Sequence, residues 1–566
     1  MFLRRALVMW MGLLWISPAN AGVPVQTESL ERPAVARCAL QELRAIVGEE
    51  NWAQPHVRGT PCAGTPVGPP ANPQIGSSWN WYLWRLNGFP VADLKSCTVR
   101  GMGDHCYVVV EDSQWNVNIN QAKVDTIVDH FENMSIGSFP TQGIWDLDTA
   151  HFGLPPDNLD QDPRVYILYY DFDVASDGFF WSFDQQCDNV AQFHSNECDV
   201  VYMNCSDFDP AGSYLLGVVA HEFQHLIHFN HDPNEEPWVD EGMGELAMWL
   251  YGNPDNVVQF NGQPDRRLDS FSGNFYDYVK TYLWSLYFYE RYGGQPAVLD
   301  LVAKSQNGIA GFEAVLDDFS YPQNFVDVFS DWVVANYLDD TTIGDGRYGY
   351  VGETLPPFSP FATFSTYPVG PNPSTVNHWA ADYVRYLSGS PLQMSFDGGD
   401  AGLFRVRALL LDNVNPTQIV DMTLNAGQAG TLSLGQLGAT HDEAVLVYSK
   451  INAAGPNAYT YGATAPAVTS PEPIASSAPS LKVLRSVSER PAFVLSAPGV
   501  AGVRLEIFDV TGRMVRRLLD QATIREAREI EWDGRDDSAQ RLAPGTYFAR
   551  MSADGFNAVA RAVLMR

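Results

Sequence analysis

Between Ser213 and Phe229 the chain is apolar on almost every side of a helix, yet it carries His221, Glu222 and His225 at its centre. Leu215, Leu216, Val218, Val219, Leu226 and Ile227 surround those three residues. A helix that is apolar all round belongs inside a core, and polar groups taken inside need partners. Any fold for this chain must therefore cover the 213–229 helix and supply groups that satisfy two imidazoles and a carboxylate. At 566 residues the chain is long enough for about three or four folded units.

The ends of the chain have their own texture. Arg4 and Arg5, the apolar run Ala6 to Ile16 and the small-residue site Ala19-Asn20-Ala21 read as a secretory signal over 1–21, with a mature protein starting at Gly22. No later stretch reaches the roughly 18 apolar residues that span a bilayer. A net charge of -32 and a pI near 4.5 argue against nucleic acid or an anionic membrane as partner, because both would be repelled.

All seven cysteines fall in the first 205 residues: Cys38, Cys62, Cys97, Cys106, Cys187, Cys198 and Cys205. In an exported protein the default is disulfide pairing, with Cys97–Cys106 and Cys187–Cys198 as the short-loop choices. Seven is odd, so one thiol is free or is lost with a propeptide. A latent form in which Cys38 or Cys62 ligates a metal is the alternative use.

Residues 22–95 are rich in Pro and Gly and read as a propeptide or an irregular N-terminal arm. The 96–355 region holds a strand at Tyr107 to Val110, a helix at Gln121 to Asn133, a strand at Val165 to Tyr170, a strand at Asp199 to Met203, and helical pattern to about Leu338. The Asp157 to Asp162 turn is acidic enough to hold calcium but lacks the EF-hand pattern. Short alternating strands over 356–465, such as Leu392 to Phe396, Phe404 to Leu411 and Ala444 to Tyr448, predict a β-sandwich. An Ala/Pro/Ser-rich linker at 466–490 precedes a last domain, 491–566.

In that last domain the strand Arg504 to Asp509, the turn Thr511-Gly512-Arg513, Glu531-Trp532-Asp533-Gly534 and Pro544-Gly545-Thr546-Tyr547 resemble the small Ig-like C-terminal modules of bacterial exported proteins, of the hook-capping and type IX sorting kinds. The resemblance implies an Ig-like β fold. It leaves open whether the module is a spacer, a sorting signal or a surface or glycan binder.

On a helix, His221 and His225 project from one face, so both imidazoles reach a single metal ion at about 2 Å. Glu222 is one residue off that face, beside the place of an activated water, where a general base belongs. The alternative is two core histidines satisfied by hydrogen bonds. Trp238-Val239-Asp240-Glu241-Gly242-Met243-Gly244-Glu245 then resembles the third-ligand helix of secreted bacterial Glu-zincins, most of all the hyicolysin-like peptidases. That resemblance implies a Zn2+ site of His221, His225 and Glu241, with Glu245 orienting the first histidine. Fifteen residues separate His225 from Glu241, fewer than in thermolysin-like enzymes, so the connection must be short. His231 is the alternative metal ligand, ten positions after His221 as in metzincins, with Met243 as a Met-turn. Position 228 is His where metzincins turn on Gly, which disfavours that arrangement.

The stretch Tyr276-Asp277-Tyr278-Val279-Lys280 is similar to the Tyr-x-Lys-Gly segment of the related aminopeptidases and implies Tyr278 as a catalytic hydroxyl. Their amine-anchoring Gly-x-Met-Glu-Asn motif has no counterpart, so endopeptidase is preferred. The resulting expectation is a multidomain secreted bacterial protein: an α+β zincin-type zinc metalloendopeptidase domain, a β-sandwich and an Ig-like β domain, acting on extracellular proteins. The competing readings are a non-catalytic adhesive or binding protein on a protease-derived scaffold, and a zinc hydrolase of lipids or glycans.

Overall fold

Runs such as Tyr107-Val108-Val109-Val110 and Val165-Tyr166-Ile167-Leu168 have no polar alternate positions, and strands apolar on both faces have to be covered on both. The computed structural model places them at the centre of a six-stranded sheet. It describes residues 38–52 and 68–565, apart from 158, 189–192, 466–478, 486, 498–499 and 525–527. The signal reading of 1–21 and the Cys62 alternative lie outside the described residues.

The sheet is formed by β1 (Ser78–Arg85), β2 (Val91–Met102), β3 (Cys106–Glu111), β4 (Val165–Tyr170), β5 (Gly178–Phe180) and β6 (Val200–Asn204), in the order β1-β2-β3-β4-β6-β5. β3, β4 and β6 run parallel, while β5 returns antiparallel to β6 and forms one edge. Every residue of β4 and β6 is buried.

The helices follow as α1 (Leu40–Val47), α2 (Glu49–Trp52), α3 (Gln121–Glu132), α4 (Ile144–Phe152), α5 (Ser213–His231), α6 (Pro237–Tyr251), α7 (Phe275–Arg291), α8 (Gly294–Val302), α9 (Ile309–Asp318) and α10 (Phe325–Leu338). α5 packs against β5 and β6 on one side and α6 on the other. That double cover explains why it is apolar all round. None of the described helices is long and apolar enough to cross a membrane.

The irregular arm expected over 22–95 is ordered where described. It contributes α1, α2, β1 and the start of β2, and Leu40, Leu43, Val47 and Trp52 are buried in the main core. The expected disulfides are corrected too. Cys97, Cys106 and Cys198 are buried free thiols, so neither Cys97–Cys106 nor Cys187–Cys198 is formed. Cys97 faces Glu111 in the β2–β3 register, and Cys106 lies at the far end of that pairing.

Residues beyond 355 are not a separate body until the end of the 458–464 strand, since the chain to Ala465 is one compact unit. Strands 392–398, 429–434, 458–464 and 369–375 make an antiparallel sheet, with period-two burial in Leu392–Gly398. The facing strands Phe404–Leu411 and Glu443–Lys450 are buried almost throughout, because their outer face packs on the helices. Tyr383 donates its hydroxyl to the Val333 carbonyl at 2.6 Å, and Arg407 pairs with Asp331 at 2.6 Å.

The second unit, from Pro466 onward, has sheets of three and five strands enclosing one apolar core. Trp532 lies fully buried in that core with its ring 5.0 Å from Tyr547. Its strand Ser480–Arg485 begins inside the stretch expected to be linker.

Candidate metal centre

α5 and α6 are joined by the short turn 232–236, and Pro237 at the first helical position pre-sets the entry into α6. Trp238 is buried, stacked on Phe312 at 5.5 Å, which pins the start of α6 to the helical half. Glu241 then faces back onto α5. Its Oε2 lies 3.3 Å from His221 Nε2 and 3.8 Å from His225 Nε2. All three residues are 0–1 % exposed, and these three atoms have no hydrogen-bond partner among the described residues.

Buried polar atoms left this way are costly, each on the order of 1–3 kcal/mol or more when charged. Ligands about 2.0–2.1 Å from a tetrahedral zinc stand roughly 3.3 Å from one another. The 3.3 Å separation equals that edge and the 3.8 Å one exceeds it by about 0.5 Å, so a small inward movement of His225 lets the residues present fit a zinc ion. Cys38, His221, His225 and Glu241 bring four ligand atoms within 4.8 Å of one another, and no other such group of three or more occurs among the described residues. The described residues of the Asp157 to Asp162 turn are not part of that group. Asp162 is engaged by Tyr107 and Arg164, and burial pushes Asp160 up to about 7.

The outer nitrogens are also fixed. His225 donates from Nδ1 to Asp240 Oδ1 at 3.0 Å, and His221 Nδ1 lies 3.4 Å from Glu245 Oε1. Such carboxylate contacts set the tautomer so that Nε2 is left for a metal. Asp240 also receives His228 at 3.0 Å and Arg44 at 3.6 Å. Burial raises Asp240, but the imidazoles of His225 and His228 outweigh it and hold the carboxyl well below the usual range. Asp240 was not singled out from the sequence. The available signal was its place beside Glu241, which on a helix turns it toward the next residue along α5.

Glu222 is fully buried, and burial pushes it up to about 7 against the pull of His221 and His225. Gly178 of edge strand β5 lies so close that a Cβ there would stand 2.8 Å from Glu222 Cγ. Tyr278 of α7 is also brought in, its ring 6.3 Å from that of His221 and its hydroxyl facing the backbone of residue 38. His231 is not. It is exposed at the end of α5, with Nε2 3.1 Å from the Leu154 carbonyl oxygen.

Three further residues reach the site from the N-terminal segment. Cys38 Sγ is 3.4 Å from Glu222 Oε2, Gln41 donates to Glu241 Oε1 at 2.9 Å, and Arg44 donates to the Glu235 carbonyl at 3.0 Å.

No protein-family model matches this chain, and no curated protein matches it. Among solved structures, one similar chain is PorZ, described as an essential bacterial surface component of the type-IX secretion system of Porphyromonas gingivalis, at 12% identity and a TM-score of 0.12. The match covers 28% of this chain and 22% of that one. A second is a β-1,2-glucanase from Parabacteroides distasonis, also at 12% identity and a TM-score of 0.12, covering 32% of this chain and 30% of that one. Likenesses at that score carry no argument about fold or function.

Proposed function

We propose that the chain is a secreted bacterial zinc endopeptidase of the Glu-zincin type, with His221, His225 and Glu241 as ligands and Glu222 as general base. The observation that carries the reading is the set of three buried ligand atoms without hydrogen-bond partners among the described residues, with Glu241 Oε2 3.3 and 3.8 Å from the two imidazole nitrogens. Zinc bound there supplies a Lewis acid that polarises a peptide carbonyl and acidifies water.

The remaining chemistry belongs to the chain. Glu222 takes the proton of the attacking water on its carboxylate and delivers it to the departing amide nitrogen, so the proton ends on the new amine. Tyr278 turns its hydroxyl toward the place of the scissile carbonyl and donates to the oxygen as negative charge develops. Asp240 and Glu245 hold His225 and His221 by their Nδ1 atoms, so neither imidazole swings as charge is redistributed. The edge of β5 offers backbone groups to an extended peptide, which suits an unfolded protein segment better than a lipid or a sugar. The signal-like 1–21 segment supports export, and the Ig-like resemblance of the last domain supports a role outside the cytoplasm.

The test is casein hydrolysis by protein freed of its N-terminal segment by limited proteolysis. The expected result is loss of activity on treatment with a zinc chelator and recovery at one equivalent of added zinc. Activity that ignores the chelator would remove the zinc mechanism, and a zinc-replete protein that never cuts casein would remove the reading in favour of a binding protein.

A further inference from the structure

A peptide substrate needs three things from this site: the metal, the backbone edge of β5 and the Tyr278 hydroxyl. All three are occupied by the chain's own N-terminal segment. Cys38 brings its sulfur into the ligand cluster and against Glu222. Ala39 donates its N–H to the Gly178 carbonyl of β5 at 3.1 Å, and Cys38 pairs with Gly178 as a parallel bridge. The Cys38 N–H meets the Tyr278 oxygen at 3.2 Å, and the Tyr278 hydroxyl reaches the Cys38 carbonyl at 3.4 Å.

The segment behind Cys38 is built to stay. Gln41 holds the outer oxygen of Glu241, and Arg44, 3 % exposed, ties α1 to the Glu235 carbonyl. The apolar side of α1 and α2 is in the core, with the Trp52 ring 6.3 Å from Phe180 and 5.9 Å from Trp181. Cys38 is free of any disulfide.

The geometry points to residues 38–52 as a built-in inhibitor, with Cys38 taking the fourth metal position so that the intact chain is latent until this segment is cut away. This rests on the zinc reading above. Ligation replaces the Cys38 S–H bond with a sulfur–metal bond and releases one proton. Release exchanges that sulfur for a water oxygen and returns a proton to the thiol, so no oxidant or reductant is required. A cut on the C-terminal side of Trp52 turns an intramolecular ligand into a diffusible peptide. Tethered, the segment acts at an effective concentration of about a millimolar, so a micromolar intrinsic affinity leaves about one site in a thousand open.

The experiment uses the full chain loaded with Co2+ in place of zinc, as wild type and as Cys38→Ser, with metal content, the near-ultraviolet thiolate-to-cobalt absorption and casein hydrolysis measured on each. The expected result is one metal per chain in both proteins, a thiolate band in the wild type alone, and wild-type hydrolysis rising about 10²–10³-fold when the segment is removed. Metal bound without a thiolate band in the wild type, or full hydrolysis by the uncut wild type, overturns the latch and leaves the zinc reading standing. No metal in either protein overturns both. The wild-type spectrum decides the question even where the variant fails to fold.

Discussion

Gly244→Ala is a one-carbon change that the structure predicts will weaken metal binding while costing the metal-free fold little. Gly244 sits inside α6, where the methyl would stand 2.8 Å from His221 Nδ1, 2.8 Å from Cε1 and 3.0 Å from Cγ. Ordinary contact needs about 3.5 Å, so the imidazole must retreat by about 0.7 Å. That is some three times the roughly 0.2 Å within which metal–ligand distances are held. The retreat also pushes Nδ1 against Glu245, 3.4 Å away. A disturbed ligand contact of this kind costs about 10–100-fold in metal affinity, or roughly 1.4–2.7 kcal/mol. For the metal-free fold, overpacking costs about 1–3 kcal/mol, while Gly to Ala inside a helix returns about 1 kcal/mol. The apo-protein should therefore lose no more than about 2 kcal/mol. The assay is zinc competition with a chromophoric chelator beside urea unfolding of the apo-form. Gly217→Ala in α5 is the control, because its methyl meets the flexible tip of Met248 at 3.2 Å and Asn253 at 3.4 Å or more, and no metal-site residue. Zinc affinity within threefold of wild type in Gly244→Ala would refute the placement of His221 as a ligand.

Asp240→Asn removes the negative charge facing His225 Nδ1 and should weaken zinc about 10–100-fold by the same competition assay, with the fold retained by circular dichroism. In the protein freed of residues 38–52, Tyr278→Phe should lower kcat about 10²–10³-fold with zinc content and KM unchanged, and a rise in KM alone would assign the hydroxyl to binding. Asp277→Ala leaves the fully buried Lys280 ammonium without its carboxylate and should cost about 3–5 kcal/mol in urea unfolding. Far from the site, burial raises Asp382 to about 7 although it accepts the Tyr459 hydroxyl at 2.7 Å. A folded-state value above the ordinary one means that the native state holds a proton the unfolded state releases, so this carboxyl reduces stability as pH climbs from about 4 to 7. Asp382→Asn should therefore raise Tm more at pH 8 than at pH 5, and an equal gain at both would contradict the shift.

What the sequence disclosed is what its periodicities encode. The strand at Val165 to Tyr170 and the buried helix from Ser213 were legible because their apolar patterns admit one solution each, and that helix runs only two residues beyond Phe229. β1 and β2 were not. β2 is half exposed and carries Lys95, Ser96 and Arg100, so no apolar alternation marks it, and it is held by hairpin pairing with β1 and β3 on either side. The boundary expected at 355 followed a real change from helices to strands. It is not a boundary in packing, because Trp379, Tyr383 and Val447 finish the core begun by α10. In the site, the His221–His225 pair was readable from helix geometry, and Glu241, Glu245 and Tyr278 only by resemblance. Asp240 and Gln41 act through tertiary contacts that no spacing announces.

The proposed role of Glu222 is that of general base beside a metal held by His221, His225 and Glu241. The most direct measurement is casein turnover by processed wild type and processed Glu222→Gln at matched zinc content. One zinc per chain in both proteins and a loss of about 10²–10⁴-fold in kcat for the variant, the range of a missing general base, are the expected results. Turnover by Glu222→Gln within tenfold of wild type at full zinc occupancy would contradict that role.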